Sequence, residues 1–242
     1  MRRLLAPLLL VGLWLVAWSV GWPGPRAVPS PTELARTALE ELPSRALWRD
    51  VAATVARVGA GLAVALLLGG SLGLALGIST RRWRAAEPTV DFLRSVPPIL
   101  TFPLFLLALG YGEPARIAAV IFGTTGIVLL HVASGLARAP AARADVVRVA
   151  GLRGWPAFVH LHLWEALPSL LVGTRVARAA GLVIAVVSEM IVGADHGLGG
   201  RAVQALLAYR ADRLWLVILV AGAIGQALSR LVVMLERRLV DW

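Results

Sequence analysis

Two arginines, Arg175 and Arg178, stand inside an apolar run that extends from about Pro168 to Gly193. An arginine at the centre of a bilayer costs about 2.5–3.5 kcal/mol on insertion scales, so it faces a water-filled cavity or a partner. If a helix over Leu167 to Val192 spans symmetrically, Arg178 falls near its middle and Arg175 about one turn nearer its start. Two arrangements fit such residues. Either they attract an anion moving along a path, or they pair structurally with Glu189 or Asp91 on another helix or subunit. Glu189, toward the far end of the same run, reads as packing in preference to an outer gate. The other residues able to do chemistry form weaker sets. His160 and His162 are two apart, on opposite sides of a helix, and no Cys or carboxylate cluster joins them in a metal site. Asp195-His196 is no better placed. Ser134, Ser169 and Ser188 with His131 are the parts an intramembrane hydrolase would need. No Gly-x-Ser-x-Gly surrounds the serines, however, and His131 has no orienting acid.

Composition narrows the chemistry further. Among 242 residues there is no Cys, which removes thiolate metal sites, iron–sulfur clusters and Cys nucleophiles. There is no Lys either, so all 24 basic side chains are Arg, and neither Schiff-base chemistry nor the phosphate-binding lysine of a P-loop is available. The chain is therefore expected not to hydrolyse nucleotide through a P-loop of its own, and no cofactor is expected on it. Apolar residues make up 58% and charged residues 16%, against about 25% charged in soluble domains. The mean hydropathy is +0.77. A net charge of +10 could point to nucleic acid, but the arginines are spread between apolar runs and mark the flanks of membrane helices instead.

A bilayer core about 30 Å thick needs roughly 20 apolar residues in a helix. The fold class expected is all-α, a polytopic bundle of about six spans. Residues 1–50 hold an uncleaved first span, Leu4 to Gly21, and an outer amphipathic helix. That helix opens on a capping box, Ser30-Pro31-Thr32-Glu33, and runs to about Glu41. Residues 51–242 form the core. Its first span, about Val51 to Thr80, carries Gly69, Gly73 and Gly77 at intervals of four, a pattern that lets helix backbones approach closely in lipid. Arg57 near its start reads as a snorkelling flank residue. The next span, about Ser95 to Tyr111, contains Pro97, Pro98 and Pro103, whose freed carbonyls need protein or a water-filled path. Gly110-Tyr111-Gly112-Glu113-Pro114 is a tight turn into a fourth span ending near Ala137. The fifth follows a polar stretch, 138–167. The sixth, about Leu214 to Leu235, follows a loop over 194–213.

Arginine placement orients these spans. With the N-terminus inside, the inner flanks hold Arg2, Arg3, Arg81, Arg82, Arg84, Arg94, Arg138, Arg143, Arg148, Arg153, Arg230, Arg237 and Arg238. Fewer fall on the outer segments, where Arg26, Arg36, Arg45, Arg49, Arg116, Arg201, Arg210 and Arg213 lie. Both termini are expected in the cytoplasm. The stretch 138–167 is then cytoplasmic. Pro140 can open a short helix and Gly151 can end it, with Val146, Val149 and Ala150 on one face and Asp145 and Arg148 on another. After Gly154-Trp155-Pro156 a second helical piece carries Phe158 and Leu161 on one face. Such a projecting helix fits a groove in a soluble partner, or lies on the bilayer surface; the pattern alone supports both.

Asp145-Val146-Val147-Arg148-Val149-Ala150-Gly151, followed after nine residues by Leu161-His162-Leu163, resembles the "EAA" signature of binding-protein-dependent ABC importer permeases. Asp stands for the usual Glu, Val-Val for Ala-Ala, and Trp164 where the first Pro is usual; Leu167-Pro168 matches the second Leu-Pro. The order of Pro29-Ser30-Pro31, Leu93-Arg94-Ser95-Val96-Pro97-Pro98, Gly110-Tyr111-Gly112-Glu113, Gly173-Thr174-Arg175, Ser188-Glu189-Met190, Gly197-Leu198-Gly199 and Glu236-Arg237-Arg238 resembles the nitrate/sulfonate/taurine/bicarbonate-type branch over nearly the whole chain. The resemblance implies the membrane half of a type I importer. Two permeases form the path, in a homodimer as is usual in this branch. Two separate ATPase subunits use ATP-Mg beneath, and a substrate-binding protein delivers solute above. It makes Asp145 to Gly151 with Leu161 and Leu163 the ATPase-coupling element. Arg175 matches a family position, whereas Arg178 does not and is the better substrate candidate.

Overall fold

The computed structural model describes residues 2–21, 27–138, 149–151, 154–192 and 194–239. Every regular element among them is helical. In chain order these are α1 Arg2–Val20, α2 Pro31–Glu41, α3 Arg45–Gly77, α4 Thr80–Ser95, α5 Pro98–Leu109 and α6 Glu113–Ala137. Then come α7 Gly154–Val192, α8 Leu198–Leu207 and α9 Ala211–Leu239. Four helices are long and apolar enough to cross a membrane: α3, α6, α7 and α9 up to Met234. The count rises to five if the bent pair α4–α5 is one broken span; α1 contributes a shorter apolar stretch, Val11–Val20.

Three expectations change in detail. The span proposed from Ser95 to Tyr111 is a helix of only 12 residues, α5, bent by 82° from α4. At 1.5 Å per residue it reaches about 18 Å, too short to cross by itself. The break falls at Val96-Pro97, because the residue before a proline is driven into extended backbone and Pro97 cannot donate to a preceding turn. The second half of the polar stretch 138–167 is not separate from the fifth span. It is the start of α7, which passes through a π-helical segment, Phe158–Leu163, before Pro168. Pro168 lies in the α-helical stretch that follows that segment. Finally, the expected loop 194–213 contains α8.

The chain forms two compact units, residues 55–188 with 225–242, and residues 1–54 with 189–224. In the first, small residues set the packing. A methyl group at Gly69, Gly73 or Gly77 of α3 would come within 2.9 Å of α6 atoms, at Thr125 O, Val132 Cβ and Ala133 Cα respectively. The four-residue glycine spacing is thus used for backbone contact, as expected where lipid offers little drive to expel apolar surface. Gly135 and Gly173 do the same between α6 and α7, against Ser169 and His131. Val128, Val132 and Leu136 of α6 pack on Ala166 and Ala177 of α7 with Leu62, Leu66 and Leu74 of α3 around them. Trp83 and Val90 anchor α4 on Leu129 and Ala133 of α6.

In the second unit, the capping box forms as read. Ser30 Oγ accepts from Glu33 N at 3.1 Å and Ser30 N donates to Glu33 Oε2 at 2.9 Å. Thr37 of the same helix donates to Asp212 Oδ2 at 2.5 Å, and Trp215 Nε1 donates to Ala27 O at 2.8 Å, tying α2 and its approach to α9.

Candidate functional site

The two arginines of α7 meet different surroundings. Arg175 is half-exposed and paired with Glu236 of α9. Arg178 is buried, 9% exposed, and its Nη1 donates to Gly225 O at 2.7 Å while its Nε has no partner. No carboxylate answers its charge among the described residues. A methyl at Gly225 would lie 3.3 Å from Leu182 Cδ2. Within this chain, neither the Arg175–Glu236 pair nor the Arg178–Gly225 hydrogen bond involves Glu189 or Asp91. Asp91 Oδ1 instead accepts from Arg94 Nε at 3.0 Å, one turn along α4.

Arg57 corrects the reading of a snorkelling flank. It is 5% exposed and makes a two-pronged contact with Glu113, Nε to Oε2 and Nη2 to Oε1, both at 2.6 Å. Arg116 adds a third donor to Glu113 Oε1 at 3.2 Å. The position of Glu113 in the first turn of α6 favours its negative charge. This group escaped the sequence reading because Arg57 and Glu113 are 56 residues apart, and each taken singly looks like a flank residue.

Glu189 is fully buried in the other unit, where it serves a helix end. Its Oε2 accepts from Gly199 N at 2.8 Å, and Thr54 Oγ1 lies 2.9 and 3.0 Å from its two oxygens. Thr54 Oγ1 in turn accepts from Leu198 N at 3.0 Å, and Asp50 Oδ1 accepts from Gly197 N at 3.2 Å. The first N–H groups of α8 are thereby satisfied by side chains from α3 and α7, which is what a buried helix N-terminus requires. Arg201 of α8 closes the arrangement on Asp50 Oδ2 at 2.8 Å and Glu41 Oε2 at 2.5 Å, and Arg213 Nε reaches Glu41 Oε1 at 3.2 Å. The packing reading of Glu189 thus fits its geometry. Nearby, the hydrogen bond from Arg210 to Asp212 holds the Arg210 guanidinium above its usual pKa, against a smaller opposing effect of burial.

Pro97 and Pro98 stand at the break between α4 and α5, and a methyl at Gly123 of α6 would lie 2.8 Å from Pro98 Cβ. Of the coupling element, Val149, Ala150 and Gly151 are described. Val149 is exposed, and Gly151, at φ +71°, has the left-handed backbone that ends a helix. Asp145, Val146, Val147 and Arg148 lie outside the described residues. Further on, Leu163 is exposed, Leu161 is half-buried, and Phe158 stacks on Trp155 at 5.3 Å.

Ser134 and Ser188 donate to carbonyls of their own helices, His131 O and Ala185 O, and His131 Nδ1 lies 2.7 Å from Ile127 O. Among the described residues no group of three His, Asp or Glu could hold a metal ion.

Known proteins with the same organisation are transport subunits. Residues 52–241 match the model of the family described as "Binding-protein-dependent transport system inner membrane component". The chain is 31% identical to an aliphatic sulfonates transport permease protein of Escherichia coli (strain K12), over 98% of this chain and 89% of that protein. It is 26% identical to the corresponding protein of Bacillus subtilis (strain 168), over 100% and 87%. The nitrate import permease protein of Leptolyngbya laminosa is 27% identical over 80% of this chain and 69% of that one. Among solved structures, an inward-facing MetNI methionine ABC transporter contains a chain that superposes with a TM-score of 0.72 at 20% identity, covering 83% of this chain and 99% of that one. That likeness concerns the fold. Long apolar helices, small-residue packing and the ordered motifs thus lead to one conclusion: the chain belongs to the family of binding-protein-dependent transport system inner membrane components, and is a non-enzymatic ABC transport permease subunit.

Proposed function

We propose that this permease is the translocation subunit of an ATP-driven importer for small anions, working with a second copy of itself in the cell membrane. The observation that carries the anion assignment is Arg178, a guanidinium buried inside a long apolar helix with no carboxylate beside it among the described residues. A cation held there without an opposite charge is costly unless it faces a path or an anion balances it. Arg175, already answered by Glu236, is the weaker contributor, and Pro97 and Pro98 shape the path at the break of α4 and α5. The relatives named for aliphatic sulfonates and nitrate support an anionic cargo.

In this reading the chain binds no nucleotide. ATP-Mg is hydrolysed in two separate ATPase subunits, which grip the cytoplasmic element from Asp145, Val146, Val147, Arg148, Val149, Ala150 and Gly151 to Leu161 and Leu163. Both termini lie in the cytoplasm, and a substrate-binding protein delivers the anion from the opposite face. Closure of the ATPases pulls on the element, and rocking of the helix bundles alternates access around Arg178.

The test is uptake of a panel of labelled sulfonates, nitrate and bicarbonate by cells that make the permease with its ATPase and binding protein. Arg178→Gln is expected to lower uptake about ten-fold or more at equal membrane expression, the loss of roughly one charge-assisted hydrogen bond. Arg178→Lys retains part of it. Unchanged uptake and an unchanged range of cargo in Arg178→Gln would end the anion assignment. For the coupling element, Gly151→Pro or Asp145→Arg abolishes co-purification of the ATPase, whereas an association that survives gross disruption of 140–163 refutes the assignment.

A further inference from the structure

The break between α4 and α5, where the transport reading places Pro97 and Pro98 on the path, also opens a wedge against α6 whose apolar lining and Arg94 that reading leaves without a role. It is a cavity of about 440 Å³ with α6 as its floor, lined largely by apolar side chains, among them Val90, Val96, Phe105, Ile121 and Phe122. Phe105 and Phe122 meet edge to face at 6.0 Å, and Gly123 and Gly126 lie on the floor beside Ile121 and Phe122. The conspicuous polar residue is Arg94, in the last turn of α4. Its Nε is engaged by Asp91, and its two terminal nitrogens donate to no group among the described residues. The remainder of α4 matches a helix lying in a membrane interface. Trp83 and Val90 face the protein, Arg81, Arg82 and Arg84 crowd its exposed first turns, and Phe92 and Leu93 are exposed near its end. The 82° turn then directs the apolar α5 away from this basic helix.

We infer that this wedge is a binding site for an anionic phospholipid, with one acyl chain between α5 and α6 and the headgroup phosphate on the free nitrogens of Arg94. The chemistry selects the occupant in two ways. The inference turns the mouth of the apolar trough toward the bilayer, where hydrocarbon, in a membrane an acyl chain, fills it. Two parallel guanidinium donors match a phosphate geometrically, and the arginines at the other end of α4 add a field that favours a net negative headgroup over a zwitterionic one. Placing α4 at the cytoplasmic leaflet rests on the topology proposed above; the lipid preference itself can be measured without that topology.

The experiment uses the full-length permease purified in a mild detergent and titrated with dioleoylphosphatidylglycerol or dioleoylphosphatidylcholine. Native mass spectrometry reads the lipid retained per chain and the oligomeric state. The wild type is expected to retain one phosphatidylglycerol per chain, at least several-fold more readily than phosphatidylcholine. Arg94→Gln removes that preference without changing phosphatidylcholine retention, and Arg94→Lys restores part of it. Ile121→Trp, which fills the trough, reduces retention of both lipids; circular dichroism and size-exclusion elution that match the wild type establish that both variants are folded. Equal retention of the two lipids by the wild type, or a preference that persists in Arg94→Gln, overturns the inference. So does a loss of dimer in place of a loss of lipid in Ile121→Trp, which assigns the trough to a second copy. An uptake defect in Arg94→Gln with its lipid preference intact assigns the wedge to the cargo path and also overturns it.

Discussion

Arg175 and Arg178 are three residues apart on one helix, yet only one of them has a carboxylate beside it among the described residues. This difference separates their expected phenotypes. Arg175→Gln breaks a partly exposed pair worth about 0–1 kcal/mol and should reduce uptake far less than Arg178→Gln does. Equal losses in both variants, measured at equal membrane expression, would contradict a special role for Arg178. A second residue-scale prediction concerns Thr54, whose hydroxyl accepts from Leu198 N and donates toward Glu189. Thr54→Val keeps the shape and removes both interactions. It should destabilise the purified permease by about 1 kcal/mol, as expected for loss of a helix cap, and a lowered Tm in detergent checks it. The sequence made the intramembrane arginines legible because charge in an apolar run stands out. It could not show their partners. Glu236 is 61 residues from Arg175, and Gly225 offers only a carbonyl, which no sequence pattern marks.

At the scale of elements, what was legible depended on where each helix finds its stabilisation. The α2 start was readable since Ser30, Pro31 and Glu33 satisfy it locally. The glycine spacing of α3 likewise predicted a close helix neighbour, and α6 is that neighbour. Gly73→Leu places a branched side chain where even a methyl lies 2.7 Å from Val132 Cβ, so overpacking of about 1–3 kcal/mol is expected. Gly70→Ala, whose methyl would sit 3.8 Å from Leu170, is expected to be tolerated. Thermal stability and monodispersity in detergent compare the two. By contrast α8 was read as loop. Its N-terminus is held by Asp50, Thr54 and Glu189 from distant elements, and its other end turns through Tyr209 at φ +54°, a position usually taken by glycine. Arg210 N donates to Ala205 O and Tyr209 N to Leu206 O, the double bond of a left-handed helix cap. Because Tyr209 is exposed, Tyr209→Gly relieves the strain with little lost packing and should raise stability by roughly 1 kcal/mol. A lowered Tm would show instead that the aromatic ring holds something in place.

For the molecule as a whole, composition alone established a membrane protein, since no soluble core accounts for 58% apolar residues with so few charges. The ordered motifs then specified the family, and the match over residues 52–241 bears that out. The path of the chain through the bilayer was less legible. Hydrophobic runs count segments but not bends, so the expected span from about Ser95 to Tyr111 gave no sign of the 82° break that joins α4 to α5. The proposed function places the energy source on another polypeptide, a division of labour that the absence of lysine, and with it a P-loop lysine, fits. The most direct measurement of that claim reconstitutes the permease in proteoliposomes with and without its ATPase, supplies the binding protein and a labelled anion, and follows accumulation. The account predicts uphill accumulation only when the ATPase and ATP-Mg are both present, and a severe loss in Arg178→Gln. Accumulation that continues without the ATPase would contradict it.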